Sequence, residues 1–287
     1  MGSSEWDVVL EAGAALAEGP VWTGDALWWV DIEAGLVHHT DPVTGEDDVI
    51  DVGEPVGSVI PRVGGGAVLG VRDGVAFRDR DGREERRLLI EADDTESRMN
   101  DAGCDPAGRL FTGTMTHDDR RSALYRVDPD GSVTTVLTGL GISNGLGWSP
   151  DGGHLYFIDT PTLRVDAMTY DVVHGTVGQR RPLTRVGRDE GFPDGMTVDA
   201  TGCLWVAFWD GGCVRRYDPD GALLRTVRLP VDRVTSCTFG GPDLDRLFVT
   251  TASTGLDATQ RAAQPLAGSI FAVDPGVLGM PLSRFAG

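Results

Sequence analysis

The chain has 287 residues, 25 of them basic and 44 acidic, for a formal net charge of −19, and every basic residue is arginine. Such a surface repels nucleic acid and anionic membranes and attracts cations, which sets aside nucleic-acid and membrane partners. Apolar residues, at 40%, suffice for a large buried core, and 40 glycines scattered between apolar runs indicate many turns, not a disordered linker.

The first five residues lack the basic and apolar regions of a signal peptide, and no apolar run reaches the length of a membrane span. Cys104, Cys203, Cys213 and Cys237 show no metal-finger or C-x-x-C spacing. They read as reduced thiols in a cytoplasmic protein. Cys104 and Cys203 are expected at matching points of two repeats, as packing residues.

From residue 22 onward one unit recurs: a turn rich in Asp, Pro and Gly, then an apolar or aromatic strand. It spans residues 22–30, 64–71, 105–113, 149–158, 199–206 and 241–249. Companion strands close on a second turn at 124–131, 214–221 and 270–275. A period of about 40–50 residues is that of β-propeller blades, and about six units fall within the range that propellers use. The last unit lacks residues for a fourth strand, and residues 6–10 precede the first complete one. Pairing the two would close the ring and remove an exposed edge. The expectation is an all-β, six-bladed β-propeller spanning residues 1–287 as a single domain, its ring closed by the N-terminal strand. With no edge left to cover, the default is a monomer.

In a propeller the first strand of each blade lines the axis. The residues at its entry are Glu18, Ser58 (after Pro55-Val-Gly), Asn100, Asn144, Asp194 and Ser236. A lone Asp or Asn before Gly is most often a turn residue bonding its own backbone. Here the polar residue holds its register through successive repeats while its identity changes, which is the mark of a site. Asp105, Asp128, Asp130, Asp218 and Asp220 recur as equivalent residues at equivalent points and read as turn residues. Two carboxylates with one or two amide oxygens, and no sulfur, describe a hard-cation site completed by water.

The segments Glu18-Gly-Pro-Val-Trp22, Arg98-Met-Asn-Asp101, Asp105-Pro-Ala-Gly-Arg-Leu-Phe-Thr-Gly-Thr-Met115, Ile142-Ser-Asn-Gly-Leu146 and Pro193-Asp-Gly-Met196 together resemble the regucalcin (senescence marker protein-30)/gluconolactonase/luciferin-regenerating enzyme family. The resemblance covers essentially the whole chain. It implies a six-bladed propeller with one divalent metal on its axis and hydrolysis of a sugar lactone, its small-molecule partner. It implies Glu18, Asn144 and Asp194 as metal ligands, and Arg98 and Asn100 as holders of substrate oxygens. The chain has Ala102 where the regucalcin-like branch has Gly. It has Asp118, beside His117, where that branch has a substrate-contacting Glu.

Lactone opening requires a polarised carbonyl, an activated water and a proton path to the leaving alkoxide. Asp194 is the candidate catalytic base, or the group that positions the water while the metal acidifies it. Arg98 suits a bidentate grip on substrate oxygens, with Asp118 and His117 as further substrate contacts. All-oxygen ligation favours Ca²⁺ first, with Mg²⁺, Mn²⁺, Zn²⁺ or Fe²⁺ as alternatives. Another hydrolase or biosynthetic enzyme acting on a non-sugar lactone or ester, or a non-catalytic calcium-binding propeller, are the competing readings.

Overall fold

The computed structural model describes residues 5–116 and 121–287. Their strands form six antiparallel sheets. The innermost strands are Ala17–Trp22, Val56–Pro61, Ser97–Cys104, Ser143–Trp148, Phe192–Val198 and Val234–Gly240. Each touches the next in this order, and the first touches the sixth, so the arrangement is a closed six-bladed propeller. Each blade reads outward through turns whose Asp side chains bond their own backbone. Asp105 accepts from the amides of Ala107 and Arg109, and Asp218 from those of Asp220 and Ala222.

The ring closes as the sequence implies. Trp6–Leu10 pairs antiparallel with Ile270–Val273, opposing Trp6 to Val273 and Val8 to Phe271. The Trp6 ring meets Phe271 edge-on at 5.4 Å, so the closure is packed as well as hydrogen-bonded. Aromatic pairs also lock neighbouring blades: Trp22 stacks on Phe248, Phe111 meets Trp148, and Trp205 meets Phe239.

Two details differ from the sequence reading. The fourth blade has a fifth strand, because Thr176–Val177 and Arg181–Arg185 both pair with Arg164–Asp171 along different parts of its length. Cys104 and Cys203 are buried free thiols but are not equivalent. Cys104 ends an inner strand opposite Leu110, the place that Val198 holds opposite Leu204, whereas Cys203 sits at the turn position of Arg109.

The C-terminal segment, 276–287, crosses the base of the ring. Its backbone bonds Leu244 and Ala200 at one side, then Pro61, Val63 and Gly108 at the other. Phe285 is fully buried against Phe77, in the core shared by the second and third blades. Phe285→Ala is expected to cost about 3–5 kcal/mol of unfolding free energy, the range for emptying a buried aromatic site. Urea denaturation measures it, and a loss under about 1 kcal/mol would mean the tail is not part of the folded unit.

Candidate functional site on the propeller axis

A register shift marks the inner strand of every blade. In the third, fourth and fifth blades two residues oppose one on the neighbouring strand: Asn100-Asp101, Asn144-Gly145 and Asp194-Gly195. In the first blade the shift follows Glu18 directly. A bulge of this kind bends the strand and re-aims a side chain that regular pleating would send into the sheet. Asn100, Asn144 and Asp194 stand in these bulges and Glu18 directly before one, and all four are buried.

A hydrogen-bond chain joins three blades around the axis. Arg98 Nη1 donates to Asn100 Oδ1 at 2.7 Å and to the Met99 carbonyl at 2.9 Å. Asn100 Nδ2 donates to the Ser143 carbonyl at 2.8 Å and to Asn144 Oδ1 at 3.2 Å. Asn144 Nδ2 in turn donates to Thr160 Oγ1 at 3.0 Å, and the Thr160 hydroxyl donates to the Pro193 carbonyl at 2.8 Å, one residue before Asp194. Thr160 thereby fixes the Asn144 amide with its oxygen on the Asn100 side. Arg98 is half-buried, and among the described residues its other guanidinium N–H groups have no protein partner.

The electrostatics follow from burying acids together. Burial, and then the charge of Asp101, push Glu18 up to about 8, although its Oε2 accepts the Gly19 amide at 2.8 Å. Burial first, then Glu18 and Asp101, raise Asp194 well above the usual carboxylate range. Burial lifts Asp101 to about 6. Burial also pulls the Arg98 guanidinium down to about 10, against the opposing pull of Glu18, Glu33 and Asp194. Three carboxylates therefore lie within electrostatic reach of one another and of one cation, an arrangement that disfavours the ionised forms of Glu18 and Asp194. Carboxylate oxygens from Glu18 and Asp194 and the amide oxygen of Asn144 could hold a hard divalent cation, with water completing the shell. Among the described residues no three His, Cys, Asp or Glu side chains are grouped to hold a metal, so the amide oxygen is needed for such a set.

The expected site residues divide as follows. The structure brings Glu18, Asn144 and Asp194 into one electrostatic group and ties Arg98 and Asn100 to it. His117 and Asp118 lie outside the described residues. Ser58 and Ser236 line a cavity of about 380 Å³ with Gly19, Asp101, Met196 and Met280, whereas Glu18, Asn144 and Asp194 do not line it. That cavity runs toward the base, where the C-terminal segment crosses it. Sequence reasoning missed Asp101 and Thr160. Asp101 had a signal, because it stands where the next two repeats have Gly145 and Gly195.

Residues 16–253 match the family model described as the SMP-30/gluconolactonase/LRE-like region, and the chain belongs to this family. It is 42% identical to pentonolactonase XacC of Haloferax volcanii over 286 residues, covering 96% of each. It is 38% identical to human regucalcin over 301 residues, covering all of both chains. Its fold superposes on the crystal structure of regucalcin, described as a calcium-binding protein, from Agrobacterium tumefaciens with a TM-score of 0.94. That match has 29% identity and covers 98% of this chain and 97% of the other.

In chelator-treated protein, native Glu18 binds a proton more tightly than unfolded Glu18 does. Its contribution to stability is therefore complete below about pH 4.5 and is lost as pH rises toward about 8. Chemical unfolding across pH 4.5–8 is expected to show a falling stability that Glu18→Gln flattens. An unchanged slope in the variant would remove Glu18 from the buried acid group.

Proposed function

We propose that this protein is a divalent-metal-dependent lactonase that hydrolyses a sugar lactone of the aldonolactone type to the free acid. The observation that carries the reading is the convergence of Glu18, Asn144 and Asp194 on the axis, with Arg98 and Asn100 attached to them. Membership of the family supports it, as does the similarity to a pentonolactonase along nearly the whole of both chains. Ca²⁺ is the first choice of ion, in keeping with the all-oxygen donors and with the description of the Agrobacterium relative.

A divalent ion held there supplies Lewis acidity toward a lactone carbonyl and lowers the pKa of water at the site. Glu18 and Asp194 contribute the negative charge that holds it, and Asn144, braced by Thr160, contributes a fixed neutral oxygen. Asp194 is the base that takes a proton from the attacking water and returns one to the leaving alkoxide. Arg98 turns its free N–H groups to substrate oxygens, while its bond to Asn100 keeps the guanidinium in place. Asp118 and His117 complete the substrate contacts in this reading. Asp118 has a shorter side chain than the Glu of the regucalcin-like branch, which would shift preference among lactones of different ring size. A calcium-binding role without turnover is the second reading, favoured by the description of the Agrobacterium relative.

The test is acid release from pentono- and hexonolactones by chelator-treated protein, with Ca²⁺, Mg²⁺, Mn²⁺, Zn²⁺ or Fe²⁺ restored singly and spontaneous opening subtracted. Turnover is expected to return with a divalent ion and to fall at least 100-fold in Asp194→Ala. Metal binding with no turnover on any lactone would leave the calcium-binding reading in its place.

A further inference from the structure

Asp101 is the acid on the axis that the proposed chemistry does not use. In the fourth and fifth blades the second bulge residue is glycine, for a steric reason. A β-carbon on Gly145 would stand 2.6 Å from the Asp194 carbonyl oxygen, and one on Gly195 would stand 2.1 Å from Ser236 Oγ. In the third blade this position carries a carboxylate. Asp101 Oδ1 accepts the amide of Ala102 at 2.8 Å, and the side chain lines the cavity on the basal side of the acid pair. Its charge acts on both Glu18 and Asp194. Among the described residues the three acids do not group as a common ligand set, so Asp101 is not a third carboxylate ligand alongside the other two.

We propose that Asp101 is a charge-setting residue of the axial site, placed behind Glu18 and Asp194 to match the buried charge to a divalent cation. With all three acids ionised against Arg98, the group carries two net negative charges, which one divalent ion neutralises. Without Asp101 the same ligands would carry one. Glu18 and Asp194 are buried and Asp101 is half-buried beside them, so solvent screens such a difference only in part. The inference rests on the proposed metal-dependent function and adds a residue to it.

Calorimetric titration of CaCl₂ and MnCl₂ into chelator-treated protein tests it, together with thermal melts before and after metal addition. Asp101→Asn keeps the shape and an oxygen for the Ala102 amide but removes the charge, whereas Asp101→Glu keeps the charge. Asp101→Asn is expected to weaken binding about 10- to 100-fold, the range for groups that support metal ligands. Its metal-free melting temperature is expected to stay level or rise, because a repulsion among neighbouring carboxylates has been removed. Asp101→Glu is expected to stay within a few-fold of wild type. Unchanged affinity in Asp101→Asn while wild type binds the ion overturns this inference alone. A lowered metal-free melting temperature with weak binding in both variants would make Asp101 a packing residue and also overturn it. Wild type that binds neither ion overturns the proposed function, and this inference with it.

Discussion

Around the axis the inner strands approach so closely that a β-carbon on Gly57 would stand 2.3 Å from the Met99 carbonyl oxygen of the next blade. Gly145 and Gly195 are under the same constraint against the fourth-to-fifth and fifth-to-sixth contacts. Much else follows from this crowding. Bulges in the inner strands relieve it, and a bulge brings polar side chains onto the axis instead of into the sheets. Glycine fills positions where a side chain would collide, so a non-glycine residue there marks a place where the ring has left room.

The second consequence is electrostatic. Side chains on the axis leave water when the ring closes, and an isolated buried carboxylate is costly unless it is paired, protonated or bound to a cation. Glu18 and Asp194 are both pushed toward the protonated form by burial. The cost is held in place by a closed ring, whose last blade is joined to the N-terminal strand by Trp6 on Phe271 and whose neighbouring blades are locked by further aromatic pairs. In the proposed reading, the destabilised acid pair is what gives the axis its affinity for a divalent ion. Asn100 and Thr160 add no charge. They hold the Asn144 amide in one orientation through bonds that span three blades.

Much of the architecture was legible because each blade repeats the same turn chemistry. Aspartates bonding their own turn backbones punctuate the chain, and the strand shortage at the last repeat pointed to residues 6–10. The heads of the inner strands were legible as a group because their register is constant while their identity varies. Other features lacked a local signature. Thr160 acts from a loop after the second strand of its blade, and its partnership with Asn144 exists only once the blade has folded. The C-terminal segment carries neither periodicity nor turn repeats, yet Phe285 is among the most buried aromatic residues. Asp101 was visible inside the Arg98–Asp101 segment, but its role emerges from comparison with Gly145 and Gly195 at the same bulge.

The central claim is that Glu18, Asn144 and Asp194 form one divalent-cation site on the propeller axis. Anomalous diffraction from crystals of the chelator-treated protein soaked in MnCl₂ addresses it directly. One strong manganese peak on the axis, in contact with all three side chains, is expected. A peak elsewhere on the acidic surface with none on the axis would contradict it.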